Sequence, residues 1–485
     1  MSLRGRVLKG AALLSAGQGL GQALSFIRNI IVARLVSPDD FGIAATFAIT
    51  VSLLEMISDL AADKLLIQAR DGDDENLQAT AQLWQFTRGL GSAVLIALLA
   101  WPMSRLFKVP QAQWAFYWLA LVPLLRGFVH LDLKRLQRGM KFTPQVLTEV
   151  GSQALITAAV WPLAWWLRDY SAVLWLVIVQ AAALAVLSHV VAERRYRWRY
   201  DREQAQRLLG FGWPLLINGL LMFGIFQGDR LIIGTGYSMY DLGIYSAALT
   251  LAMAPSMLLG GIIASLMLPL LSAAQDNALE FRRRYALSIG ALAMLAGALA
   301  IVFVCVGPRL LSALFGSRYA AGGVYLAFLG LAQSARLLRV GPTLAALALS
   351  DTQNSLWANV WRLSGVAAAV VLALGHMALI WIPLAALAGE LLALGYALLR
   401  LARRYDLPPM MCFRPACSAA VLVVPALVLA ACGWHPHDWL RLLLLAVGLV
   451  LACVVLVTAT STALRAECRA AWVQVRRLTP LAAAN

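Results

Sequence analysis

Apolar stretches recur along the whole of this chain. Each runs to about 20 residues, the length an α-helix needs to cross the hydrocarbon core of a bilayer. Inside them lie seven arginines: Arg28, Arg88, Arg126, Arg230, Arg336, Arg339 and Arg362. A cation at the bilayer centre costs about 3 kcal/mol even on the lenient insertion scale, so seven facing lipid would cost roughly 20 kcal/mol. The cheap arrangement turns them inward, onto water, acids or an anionic ligand. The pattern predicts an all-α polytopic membrane protein whose cationic interior suits a large anion.

Composition agrees. The chain has 485 residues, 61% of them hydrophobic and 13% charged, which excludes an ordinary soluble domain. In a soluble chain a net charge of +16 would point to nucleic acid. Here the positive residues fall in short loops between apolar runs, as membrane topology requires, so no nucleic-acid partner is expected. The six cysteines are scattered and form no CxxC pair, so neither a disulfide framework nor a zinc site is indicated. Asp71, Asp73 and Glu75 begin like a calcium loop, but Asn76 stands where that loop needs glycine and Gln82 where it needs glutamate. His435 and His437 have no other metal-ligating residues near them in sequence. There is no phosphate-binding loop and no nucleophile elbow.

Periodicity and turn signals give about fourteen candidate spans, the first at 8–36 and the last at 439–462. The loops alternate in charge. One side, from Arg4 through Arg194–Arg207 to Arg477, holds 26 of the 40 Lys and Arg residues, and the other holds seven. The positive-inside rule then puts both termini in the cytoplasm. The basic N-terminus runs into an apolar stretch too long for a cleaved leader, so it reads as a retained first helix. Trp161, Trp165 and Trp166 mark one outer edge, Trp434 and Trp439 flank another, and Trp357 and Trp361 lie near an inner edge.

Sliding the chain on itself exposes a repeat. Ile31 to Ile43 lies over Ile232 to Ile244 without a gap, and Ile31, Ser37, Asp40, Gly42 and Ile43 match Ile232, Ser238, Asp241, Gly243 and Ile244. An even number of spans separates the copies, so the halves share one orientation, as in parallel-repeat transporters. The expected organisation is a six-helix lobe over 1–200, a second over 201–405, and two further helices with a cytoplasmic tail over 406–485.

Among the intramembrane polar residues, Arg336 and Arg339 are i, i+3 and share a helix face. Two guanidiniums there can hold a diphosphate by paired, charge-assisted hydrogen bonds. Arg28 and Arg230 occupy nearly equivalent places in the two halves. Each of the seven arginines can instead pair with an intramembrane acid. Those acids are few: Glu55, Asp59, Glu149, Asp229 and Glu390. Glu55 and Asp59, i, i+4 on one face, either bind a coupling H+ or Na+ or neutralise an arginine, and Asp229 adjoins Arg230. Glu390 has no close partner in sequence, which makes it the best single coupling candidate. Gln18 and Gln22 either meet sugar hydroxyls or bond helix to helix.

The opening LSFIRNIIVARLVSPDDFGIAATFAITVSLLEMISDLAADKLLIQ resembles the first helical hairpin of Wzx-type oligosaccharide flippases. These belong to the multidrug/oligosaccharidyl-lipid/polysaccharide exporter superfamily. LFGSRYAAGGVYLAFLGLAQSARLLRVGPTLAALALSDTQNS, residues 314–355, is similar to the tenth-helix region of its polysaccharide-transporter branch. The resemblance implies two six-helix lobes around a cationic cavity and a polyprenyl-diphosphate-linked oligosaccharide as cargo. It implies transport from the cytoplasmic to the periplasmic leaflet of a bacterial inner membrane, beside membrane lipids and a polysaccharide polymerase with its chain-length machinery. No cofactor is expected beyond a coupling H+ or Na+. A peptidoglycan-precursor flippase, a multidrug exporter and a membrane polysaccharide polymerase remain alternatives, and the short outer loops speak against the polymerase.

Overall fold

The computed structural model describes residues 3–431, 439–467 and 469. The loop bearing Trp434, His435 and His437 lies outside them, as do Arg476 and Arg477. In chain order the helices are α1 (Leu3–Leu35), α2 (Pro38–Ser58), α3 (Ala62–Gln68), α4 (Glu75–Leu106), α5 (Gln113–Leu119), α6 (Leu121–Gly127), α7 (Asp132–Arg138), α8 (Thr143–Leu167) and α9 (Ser171–Val191). They continue as α10 (Arg202–Gly236), α11 (Met239–Ser272), α12 (Ala278–Cys305), α13 (Gly307–Phe315), α14 (Gly323–Ala348), α15 (Gln353–Leu374), α16 (Trp381–Arg404), α17 (Pro409–Ala431) and α18 (Trp439–Thr460).

Among the described residues, 12 helices are long and apolar enough to cross a membrane, or 13 if the pair Pro110–Gly127 and Asp132–Arg138, bent by 46°, is one span. The fourteen expected from sequence are therefore not reached. Two segments account for the difference. α1 is long enough but carries Gln18, Gln22, Arg28, Asn29 and Arg34 along its length, too polar a set for a span by composition. The fourth expected span, 112–133, is broken into short helices. Backbone released by that break must find partners in a membrane interior. Val129 O accepts from Gln82 Nε2 at 2.9 Å and Gln85 Nε2 at 2.8 Å, Leu131 N donates to Gln82 Oε1 at 3.0 Å, and His130 N donates to Ser188 Oγ at 2.9 Å.

The chain divides into two units. The first runs to Thr250 and adds Leu314–Tyr319 and Leu372–Leu379; the second holds Leu251–Ala313, Ala320–Val371 and the chain from Ile380. Within the first, α1 packs on α8, α8 on α9, α2 on α10 and α4 on α6. Within the second, α12 packs on α14, and α14 on α16. α17 and α18 also pack on α12, with Cys453 of α18 fully buried there.

The internal repeat is visible in the first unit as two copies of one helix start. Asp40 N donates to Ser37 Oγ at 3.1 Å, and Asp241 N donates to Ser238 Oγ at 3.1 Å. Each hydroxyl also donates to the aspartate of its own copy, at 2.5 Å and 2.6 Å. These are reciprocal N-caps satisfying donors that the helix leaves open. The matched glycines then meet. A methyl at Gly42 would lie 2.0 Å from Met239 O, and one at Gly243 would lie 1.9 Å from Pro38 O. Only hydrogen fits at either position.

Between α9 and α10 the chain runs extended on basic and aromatic residues, pinned to the loop before α4. Arg207 binds Asp71 through both nitrogens at 2.6 and 2.8 Å, which holds that carboxyl below the ordinary carboxylate range. Arg194 donates to Asp73 O and to Gln78 Oε1, each at 2.9 Å. Fully buried Asp132 accepts from Arg135 and from the backbone N–H groups of Glu193 and Arg194.

Candidate functional site

The intramembrane charges fall into three groups and the separate neighbours Asp229 and Arg230. The first lines a cavity of about 510 Å³ in the first unit, walled by α2, α3, α4, α6, α7, α8, α9 and α10. Here α2 stops because Asp59 and Ala61 leave helical geometry, Ala61 turning left-handed at φ 49°. Asp59 Oδ1 secures that turn by accepting from Ala61 N at 3.0 Å, and it also receives Arg88 Nη1 at 3.2 Å. One turn earlier, Glu55 is paired with Arg126 of α6. Lys134 stands 4.0 Å from Asp63. Arg88 and Arg126 are thus neutralised by Asp59 and Glu55, as the i, i+4 spacing allowed. Glu149, also in the wall, accepts from Gln145 Nε2.

The second group is Arg28 on α1. Its Nη1 donates to Gln153 Oε1 at 3.1 Å and Gln180 Oε1 at 3.3 Å, and its Nη2 donates to Ser25 Oγ at 3.2 Å. All three partners are neutral, so they orient the guanidinium without cancelling its charge. Sequence reasoning missed Gln153 and Gln180. Their signal was present as glutamines in the apolar runs of α8 and α9. Gln18 and Gln22 are exposed on α1. Arg230 N donates to Asp229 Oδ1 at 2.9 Å, while Asp229 Oδ2 accepts from Tyr245 OH at 2.5 Å. Asp229 therefore ties α10 to α11 inside the first unit.

The third group lies in the second unit. Gly365 of α15 and Gly389 of α16 bring their helices so close that a methyl at Gly389 would lie 2.7 Å from Arg362 O. That crossing places Arg362 Nε 2.5 Å from Glu390 Oε1, and α14 brings Arg339 Nε within 3.5 Å of Glu390 Oε2. Arg339 and Glu390 are 8% and 3% exposed, too little for water to screen them. Glu390, which has no close partner in sequence, is gripped by two arginines from other helices, the pairing with an arginine that the sequence left open. That contact overturns the sequence argument for a carboxyl left unpaired at the bilayer centre. The Nε contacts are charge contacts, since neither carboxylate oxygen receives an aligned hydrogen bond. Arg336, one turn before Arg339, adds a third cation close enough to feel Glu390. Three cations against one carboxylate leave the group about +2.

Residues 31–322 match a family described as polysaccharide biosynthesis protein. The chain belongs to that family. A curated relative, the succinoglycan biosynthesis transport protein ExoT of Rhizobium meliloti (strain 1021), is 26% identical over 323 residues, or 64% of this chain. The match spans 63% of the relative's length. Among solved structures, lipid II flippase MurJ in an inward closed conformation superposes with a TM-score of 0.66 at 11% identity, covering 94% of this chain and 99% of that one. An inward-facing multidrug resistance transporter of the MATE family gives 0.65 at 14% identity, covering 79% and 94%. That transporter is of the MOP superfamily, and this chain shares its fold.

Proposed function

We propose that this protein is a flippase for a polyprenyl-diphosphate-linked oligosaccharide, carrying a repeat unit of an exported polysaccharide across a bacterial inner membrane by alternating access. The observation that carries the reading is the cationic excess within the spans. Arg28 is oriented by neutral side chains, and Arg336, Arg339 and Arg362 surround a single carboxylate. A guanidinium is the group that recognises phosphate by paired donors. Membership in a polysaccharide biosynthesis family and the succinoglycan transport relative support a saccharide cargo. The lipid II flippase neighbour supports a lipid-linked one. An organic-cation exporter fits poorly, since an excess of arginines over acids repels its cargo.

The direct test is translocation in proteoliposomes of a short-chain prenyl-diphosphate saccharide carrying a fluorescent label. The native protein should move it between leaflets, and Arg28→Ala should slow transfer by tenfold or more while folding normally. Absence of transfer by the native protein, with the label reaching the cavity freely, would remove the flippase reading.

The topology proposed with this function puts both termini in the cytoplasm and couples to a polymerase on the far side. Cysteines introduced at 195 and 317 in a cysteine-free background should be labelled from opposite faces, the first from the cytoplasm. Labelling of both from one face would refute the orientation.

A further inference from the structure

The first-unit cavity presents an anionic cargo with a difficulty. Its wall carries four carboxylates, Glu55, Asp59, Asp63 and Glu149, and four cations, Lys64, Arg88, Arg126 and Lys134, so its formal charge is zero. Three of the carboxylates already sit on cations: Glu55 on Arg126, Asp59 on Arg88 at 3.2 Å, and Asp63 on Lys134 at 4.0 Å. A diphosphate can engage Arg88 and Arg126 there only by displacing the acids they hold.

We propose that the cargo diphosphate exchanges with Glu55 and Asp59 on Arg126 and Arg88, and that the displaced carboxylates take up protons, so that cargo capture and proton uptake are one event. The inference rests on the lipid-diphosphate reading above and adds to it a proton-linked step of cargo capture and its site.

Three observations make the exchange favourable. First, the pairs are accessible: the side chains of Arg88 and Asp59 are 26% and 50% exposed, and those of Arg126 and Glu55 are 33% each. Ion pairs open to solvent to this degree hold weakly. Each phosphate of the diphosphate offers a guanidinium a forked pair of anionic oxygens in place of one carboxylate oxygen. The Arg339–Glu390–Arg362 group, at 3–8% exposure for Glu390 and Arg339, has no such freedom.

Second, the displaced acids have few other cations to go to. Facing the cavity from α2 are Glu55 and Asp59, from α3 Asp63 and Lys64, from α4 Arg88 and from α6 Arg126. α7 contributes Lys134, α8 contributes Glu149, the preceding break contributes His130, and α10 contributes uncharged Asn218. Lys134 is shared with Asp63, which leaves Lys64 for two carboxylates beside a polyanion. Crowded like charges favour the protonated acid.

Third, protonation turns a competitor into a helper. Each carboxylate gains H+ from cytoplasmic water to give a neutral carboxyl whose O–H can donate to a phosphate oxygen. Loss of those protons on the opposite side restores Glu55–Arg126 and Asp59–Arg88 and expels the anion. No other group changes its covalent state.

The experiment uses the full-length protein in detergent and geranyl diphosphate as probe. Calorimetry in two buffers of different ionisation enthalpy gives the protons taken up per probe bound between pH 6 and 8, after subtraction of the probe's own titration. The expected result is net uptake by the native protein, with affinity falling by up to about tenfold per pH unit for each linked proton. Glu55→Gln and Asp59→Asn should each remove part of the uptake, flatten the pH dependence and tighten binding at pH 8, because the competing carboxylate is gone. A purely structural role for these acids predicts weaker binding instead. Native protein that binds the probe without net uptake would overturn the exchange while leaving the cargo reading intact, whether or not the variants fold. Failure of the native protein to bind any prenyl diphosphate would overturn both.

Discussion

Gly42→Ala and Gly243→Ala should each leave little folded protein. The new methyl carbon would stand 2.0 Å from Met239 O in the first case and 1.9 Å from Pro38 O in the second, far inside van der Waals contact. Inserting a methylene into a packed core costs about 1–3 kcal/mol when side chains can adjust. Here the obstructing atoms are backbone carbonyls in the first turns of α2 and α11, so relief requires moving a helix, and the cost should reach or exceed the top of that range. The two substitutions should behave alike, because each glycine presses on the start of the other's helix. Gly260→Ala, whose methyl would meet nothing, is the control; exchanging glycine for alanine in an exposed helix should stabilise by up to about 1 kcal/mol. Yield of monodisperse protein after detergent extraction, together with the thermal midpoint, provides the readout. Native-like melting of Gly42→Ala would mean that the two repeat copies do not touch.

That contact shows what the sequence disclosed and how. Ser37, Asp40 and Gly42 could be matched with Ser238, Asp241 and Gly243 because capping is local chemistry, repeated wherever a helix starts in the same way. The structure adds that the matched pieces are neighbours. The apolar runs fixed the helices in the same manner, since each needs no knowledge of its partners. What could not be read was facing. Glu390 looked solitary because Arg362 and Arg339 are far from it in sequence, and a helix wheel does not say which neighbour a face will meet. Gly365 and Gly389, which set that meeting, looked like any other small residues in apolar helices. The expected count of fourteen missed for a related reason. Apolarity alone ran 112–133 together as one span, while the signal of its break lay elsewhere, in Gln82, Gln85 and Ser188, polar residues inside otherwise apolar segments that satisfy the opened backbone.

The seven arginines illustrate the same boundary between pattern and partner. Their cost in lipid required inward placement, and the structure divides them by what cancels their charge. Arg88 and Arg126 meet the α2 acids, whereas Arg28 meets neutral amides. The cationic character expected of the interior is therefore uneven, and the wall of the first-unit cavity is formally neutral. Charge excess is concentrated at a few positions, which makes the function sensitive to single substitutions there.

Glu390→Gln should be the most damaging conservative change in the second unit. Removing the carboxylate from a buried pair leaves its partners uncompensated, at a cost of about 3–5 kcal/mol. Here Arg339 and Arg362 would both be left facing each other and Arg336 across a site that is almost closed to water. Neutralising one of them as well should recover much of the loss, so Glu390→Gln/Arg362→Gln is expected to melt well above Glu390→Gln alone. A double-mutant cycle on thermal stability measures that coupling, and strictly additive effects would dissolve the ion-pair account. Export should respond differently. Arg336→Ala and Arg339→Ala should lose polysaccharide export at near-normal abundance, with partial recovery on Lys replacement, which keeps the charge but loses the fork. The stabilised double variant should still export poorly, because it has repaired the charge balance by giving up a guanidinium. Stability and transport would then part company at one carboxylate: Glu390 holds the arginines together, and the positive charge they keep in excess attracts the anionic cargo. If the double variant regains both, the cluster is scaffolding and plays no part in attracting the cargo.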